Sequence, residues 1–315
     1  MTAVIDPFVL EYAPGPLVDL HPSIETLRSA VRGVVDELGT IPDERLESQW
    51  MWEGNEVDVR YGFYRALEAI ERATSRVARS MVGIPSSEAR DAAGATTLAR
   101  WDLDGLLAAM TDDDLDADPG GGEWTVRQTM GHIIGGQRGY AWGNAWWLHT
   151  RDEPRAQGAQ RAPEHLFEPM PSEEDESRGS AADVRRNLHD VVDSTCSRYA
   201  TLTTAEMDVM GGWMGFPVTI GFRMWRWPSH IEEHTVQLEK TLDMLGRRQS
   251  EVARLNRLIT RAYGRLEALV FGHSAAQLGA APAALQILSE LATVLAGLGP
   301  SVRIAADAAI PASDA

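Results

Sequence analysis

One cysteine, Cys196, stands in a chain of 315 residues. It has no partner for an intrachain disulfide, which excludes a disulfide scaffold and fits a reducing compartment. Cys196 reads as a small buried packing residue. Positive charge is also scarce: 29 Lys and Arg stand against 46 Asp and Glu, for a net charge of −17. Nucleic acid and anionic membranes select basic surfaces, so neither is an expected partner. No unbroken apolar run reaches about 18 residues, so no membrane span is expected. The opening "MTAVIDPFVLEYAPGP" lacks the basic-then-apolar order of a signal peptide. The expected location is cytoplasmic. No convincing period-two alternation is present either, so nothing points to a sheet.

Helical periodicity is there almost throughout. Apolar stripes at spacings of three and four cover 24–38, 59–77, 103–110, 126–140, 188–202, 231–245, 252–269 and 285–298. Eight amphipathic helices predict an all-α protein. Thr125-x-x-Gln128 is a capping-box pattern with Trp124 placed as its staple residue, and Ser229-x-x-Glu232 after Pro228 is a second. Gly246 marks a helix stop. The polar stretch 151–180 is too long for an ordinary connection and reads as a lid over a pocket or a disordered loop. The pair of helices at 24–80 and the pair at 250–298 each carry an apolar stripe that must be buried, and they are expected to meet in a second bundle. A short echo, Val59-Arg60…Arg65 against Val126-Arg127…His132, suggests that this second bundle is a duplicate without histidines. The expected domains are a central bundle over 92–247, an accessory bundle from 1–91 plus 248–300, and a flexible tail over 301–315.

Chemistry concentrates in two segments. "WPSHIEEHTVQLEKTLDML" sets His230 and His234 four apart on one helical face, with His234 inside the apolar stripe. Two imidazoles at that spacing can chelate one divalent ion, and the spacing also arises by chance. A third ligand from a facing helix would decide between them. His132 is the candidate, in a stripe with Thr129, Gly136 and Gly139 where leucines would be ordinary. Its helix also carries Gly131, Gly135 and Gly143. Each interior glycine costs a helix on the order of 1 kcal/mol relative to alanine. Two explanations remain open: close helix packing, or a cavity beside a metal. His21, His149, His165, His189 and His273 read as scattered surface or capping residues.

Trp124-Thr125-Val126-Arg127, then His132, then His230, His234 and Gln237-Leu238, together resemble the DinB-like superfamily. The resemblance covers roughly half of the chain. It implies a four-helix bundle with a long crossover and a divalent metal held by three histidines, here His132, His230 and His234. It implies Zn²⁺ first, with Ni²⁺ or Fe²⁺ as alternatives. It also implies kinship with mycothiol- and bacillithiol-dependent S-transferases and with the N-terminal part of mycothiol-dependent maleylpyruvate isomerases. The activity expected on that basis is thiol transfer, with mycothiol as the thiol co-substrate and a small electrophile as the partner molecule. A homodimer is left open. Gly136, Gly139, Gln237 and Trp227 are the expected pocket residues, and Glu233 is the candidate base or supporting residue. "HIEEH" also fits an inverted zinc-protease motif, which belongs to mixed α/β domains and so suits this chain poorly. The competing reading is a non-catalytic metal-binding or interaction bundle.

Overall fold

A computed structural model of the protein describes residues 20–153 and 162–308. The described residues begin with helix α1 (Pro22–Gly39) and a hairpin, β1 (Gln49–Trp52) and β2 (Asn55–Asp58), which leads into α2 (Val59–Ser80). Helix α3 (Glu88–Leu107), the short α4 (Asp112–Asp116), α5 (Val126–His149), the short α6 (Glu173–Glu176) and α7 (Ala181–Tyr199) follow. The one-turn α8 (Thr204–Met207) precedes a second hairpin, β3 (Met210–Trp213) and β4 (Phe216–Thr219), which feeds α9 (Ile220–Met244). Helices α10 (Glu251–Ala268), α11 (Ala275–Gly279) and α12 (Pro282–Ala308) complete the described residues. Among the described residues the protein is all-α apart from the two hairpins. Four-residue strands are too short to leave a readable period in the sequence.

Two hydrophobic cores organise the helices. Helices α3, α5, α7 and α9 enclose one, built on Leu103, Ile133, Leu188, Trp227 and Leu238. Helices α1, α2, α10 and α12 enclose the other, built on Leu27, Phe63, Ile259 and Leu295. The first and last pairs of long helices among the described residues therefore meet in a bundle discontinuous in sequence. Helix α12 is long and apolar enough, by length and composition, to cross a membrane. Its apolar face lies in the second core, with Leu288 and Leu295 buried.

The bundles are copies of one plan. Both hairpins turn through a residue and a glycine at positive φ, Glu53 and Gly54 in one, Met214 and Gly215 in the other. Their registers match, Gln49 opposite Asp58 and Met210 opposite Thr219. Asp58 and Thr219 then cap the following helices in the same way, accepting from the amides of Tyr61 and Phe222. Thus α2 corresponds to α9, and α1 to α7. Ser87 and Ser250 cap α3 and α10, which are equivalent too. That leaves α12 as the counterpart of α5. The Val59-Arg60…Arg65 echo had joined α2 to α5 instead; the hairpins and caps show that this pairing is wrong.

Other boundaries differ from the sequence reading. Ser229 and Glu232 form no cap, because α9 starts at Ile220 and carries Pro228 in its interior. Helix α3 begins at Glu88 rather than near 103, since its first half faces the core with Ala89, Ala92, Ala93 and Thr96, which leave no large apolar stripe. The expected tail from 301 is helical to Ala308, because Val302 and Ala306 are buried in the second core; 309–315 lie outside the described residues. Gly246 does end α9 at φ 68.

The bundles join along α3 and α10. Small residues bring the backbones together: a Cβ on Gly94 would stand 2.9 Å from the Ala268 carbonyl oxygen, and one on Gly264 would stand 2.9 Å from the Trp101 Cβ. Beside this seam Arg28 bonds Glu267 at 2.6 Å and Asp193 at 2.5 Å, while Arg100 reaches the same two carboxylates. The guanidinium groups hold Glu267 down at about 2 despite its burial. Asp104, the counterpart of Glu267, meets Arg185 at 2.8 Å and His189 at 3.2 Å. His189 is thus not a scattered surface residue; burial lowers its pKa to about 4.

Candidate metal centre

Capping and packing fix the three histidines. Thr125 and Gln128 form the expected capping box, which starts α5 one turn and a half before His132. Thr219 and the second hairpin start α9 so that His230 and His234 face α5. Ring nitrogens of His132, His230 and His234 all lie within 4.8 Å of one another. The Nε2 atoms of His132 and His230 are 3.3 Å apart. Nitrogens bound tetrahedrally at about 2.0–2.1 Å to one ion lie about 3.3–3.4 Å apart, so this spacing suits a common ligand. Burial of the set is uneven, with His230 buried and the other two half-buried, which leaves one side open to solvent.

Neighbouring groups set the tautomers. His132 Nδ1 lies 2.9 Å from Glu173 Oε1, and His234 Nδ1 lies 2.7 Å from Gln237 Oε1. Both oxygens can only accept, so both Nδ1 atoms carry the proton and both Nε2 lone pairs are free. Burial pushes His230 down to about 3, reinforced by His234 and His132; burial also lowers His234, against the opposing effect of Gln237. These two imidazoles are neutral at pH 7, the form that ligates a metal. The donor set fits one divalent cation.

The glycine stripe serves both of the purposes left open. A Cβ on Gly131 would stand 2.2 Å from the Glu173 carbonyl oxygen, so that glycine lets α6 press against α5 and deliver Glu173 to His132. A Cβ on Gly136 would stand 2.8 Å from His230 Cε1, so Gly136 makes room for the imidazole itself. Gly139 is roomier, with Met170 Cε at 3.6 Å from the same construction. The part of 151–180 that follows residue 161 therefore packs at the edge of the centre; 154–161 lie outside the described residues.

The structure redistributes the other candidates. Gln237 orients His234. Trp227 is no pocket wall: it is fully buried in the bundle core, edge-on to Tyr199 at 5.4 Å. Glu233 turns toward Arg226, 2.6 Å away, and toward solvent. Cys196 is sealed in the core, where burial raises its thiol to about 12. Trp124, read only as a staple, lies 5.1 Å from the His132 ring and stacks over His234 at 6.5 Å. Tyr140 meets His230 edge-on at 5.5 Å. Glu173 and Tyr140 were missed because the first lies in a segment without periodicity and the second reads as an ordinary core aromatic.

Residues 95–238 match the model of the DinB superfamily. The histidine-bearing bundle belongs to that superfamily. The match begins inside α3 and ends inside α9, so it takes in all four DinB-like helices and the three histidines. No curated protein and no solved structure matches the chain. The second bundle lies outside the DinB match and lacks the ligands. At the positions of His230 and His234 it has Ala69 and Ala73, and Glu290 and Val294 of α12 line the space beside them. A cavity of about 400 Å³ remains there, lined by these four residues with Arg72 and Arg76.

Proposed function

We propose that the DinB-like bundle is the catalytic part of a metal-dependent thiol S-transferase, with His132, His230 and His234 holding one divalent cation. Zn²⁺, which takes imidazole nitrogens in a tetrahedral site, is the proposed ion, with Ni²⁺ and Fe²⁺ as alternatives. A divalent cation ligated only by neutral imidazoles keeps its full positive charge and acidifies a thiol or water brought to it. The observation that carries the reading is the convergence of three imidazoles, two with their Nδ1 protons already committed, on a side open to solvent.

The surrounding residues favour a nucleophile brought in as co-substrate. Cys196 is sealed and protonated, and Glu233 is paired with Arg226 rather than aimed at the histidines. Trp124 and Tyr140 supply aromatic walls that shield the centre. A low-molecular-weight thiol such as mycothiol is the proposed co-substrate, an electrophilic small molecule the second substrate, and the cytoplasm the proposed setting. Metal analysis of the purified protein followed by thiol-conjugation assays tests this. Stoichiometric metal with conjugation that His234→Ala abolishes supports it. Stoichiometric metal without conjugation of any thiol would instead favour a non-catalytic metal-binding bundle.

A further inference from the structure

Arg223 is a buried guanidinium with no carboxylate partner among the described residues. It is 9% exposed. Its Nε has neither solvent nor a hydrogen-bond partner. Burial lowers its pKa to about 10, and the tyrosines beside it, Tyr140 and Tyr199, are themselves shifted upward and stay neutral phenols. Arg28 and Arg100, buried elsewhere in the molecule, each meet two carboxylates. A charge taken out of water without a counter-charge is costly, and aromatic contacts offset only part of that cost.

The side chain is nevertheless accommodated with care. Its Cζ lies 4.3 Å from the Trp147 ring centre and 5.3 Å from that of Tyr140. A Cβ on Gly143 would stand 2.2 Å from Nη1, so the last glycine of the α5 stripe makes room for this group. The second bundle has Gly62 at the equivalent position, with Val302 filling the space. The bundle that lacks the histidines therefore lacks the arginine as well.

Position ties Arg223 to the histidine centre. It precedes His230 by two turns of α9, a rise of about 11 Å. Tyr140 touches both, 5.5 Å from the His230 ring and 5.3 Å from the guanidinium carbon. Arg226, the other guanidinium nearby, is committed to Glu233. One unanswered positive charge suits a monoanion, and a guanidinium binds a carboxylate through paired hydrogen bonds.

We propose that Arg223 anchors a carboxylate of the molecule that reaches the histidines, so that the substrates are carboxylates whose reacting atom lies about 10 Å from the acid. The reacting end rests on the reading given under Proposed function; the anchor does not. Titration calorimetry tests the two separately. Metal-free protein is titrated with hexanoate and with hexan-1-ol, and Zn²⁺-loaded protein with 8-mercaptooctanoate and with 8-mercaptooctan-1-ol. The wild type is expected to bind each acid at least tenfold more tightly than its alcohol. Arg223→Met should erase that preference and Arg223→Lys should reduce it. Equal binding of acid and alcohol to the wild type overturns the anchor, as does a preference that persists in Arg223→Met. If Arg223→Met does not fold, Arg223→Lys and the wild-type comparison decide. An Arg223-dependent preference in the metal-free arm, with no gain from the thiol in the Zn²⁺ arm, would leave the anchor standing and remove the thiol reading.

Discussion

The two bundles share a hairpin, a cap and a helix arrangement, yet one carries three histidines and the other carries alanines in place of two of them. Ala69 and Ala73 occupy α2 where His230 and His234 occupy α9. Gly136 makes room for the His230 ring in the DinB-like bundle, whereas the second bundle has a cavity beside Ala69 and Ala73 and no ring to accommodate. Both bundles bury complete cores. The fold therefore needs neither the imidazoles nor the glycine that admits one of them. The metal-holding role proposed above accounts for the histidines, since the second bundle packs its core without them.

The comparison can be broken most sharply by converting one bundle into the other. The double variant His230→Ala, His234→Ala reproduces Ala69 and Ala73. It should lose stoichiometric divalent metal while keeping its helix content, as read by elemental analysis and circular dichroism. Retained metal would mean that the ion sits elsewhere.

A second test concerns what the bundles share, their seam. Arg28→Met leaves buried Glu267 and half-buried Asp193 with one guanidinium fewer, so stability should fall on the order of 3–5 kcal/mol by urea denaturation. A loss under about 1 kcal/mol would show that the ionic lattice does not join the bundles.

His189 sharpens the same point by pH. Its pKa is lowered by burial to about 4 from 6.5. The unfolded chain thus binds more protons between those values, so the stability contributed is present above pH 6.5 and lost as pH falls toward 4. The amount is up to about 3 kcal/mol. Denaturant titrations of metal-free protein should show this fall, and His189→Leu should flatten it. An unchanged slope in the variant would exclude His189 as its source.

The smallest expected effects lie beside the ligands. Gln237→Ala frees the His234 ring, and Gly136→Val forces a methyl group toward His230. Each should weaken metal binding about 10- to 100-fold in a chelator competition, with the fold intact. Unchanged affinity in both would show that neither ring orientation nor ring space matters.

Much of this was legible in the sequence because period and spacing carry it. The amphipathic stripes gave the helices, and the four-residue separation of His230 and His234 gave a shared face. The second bundle followed from two stripes with nothing else to bury them. Less legible were features whose cause is tertiary. Four-residue strands leave no period, so the hairpins passed unseen and with them the true pairing of α2 with α9. Pro228 looked like a helix start because local signals cannot show that the preceding helix tolerates it. Glu173 sits in a polar stretch and reaches His132 only because Gly131 lets α6 approach. Arg223 reads as one arginine among many until its missing counter-charge becomes visible.

The most direct test of the central claim is anomalous diffraction at the zinc edge from crystals grown with Zn²⁺. The account predicts one strong peak about 2.0–2.1 Å from Nε2 of His132, His230 and His234, and none beside Ala69, Ala73 and Glu290. No peak at the histidines, or equal peaks in both bundles, would contradict it.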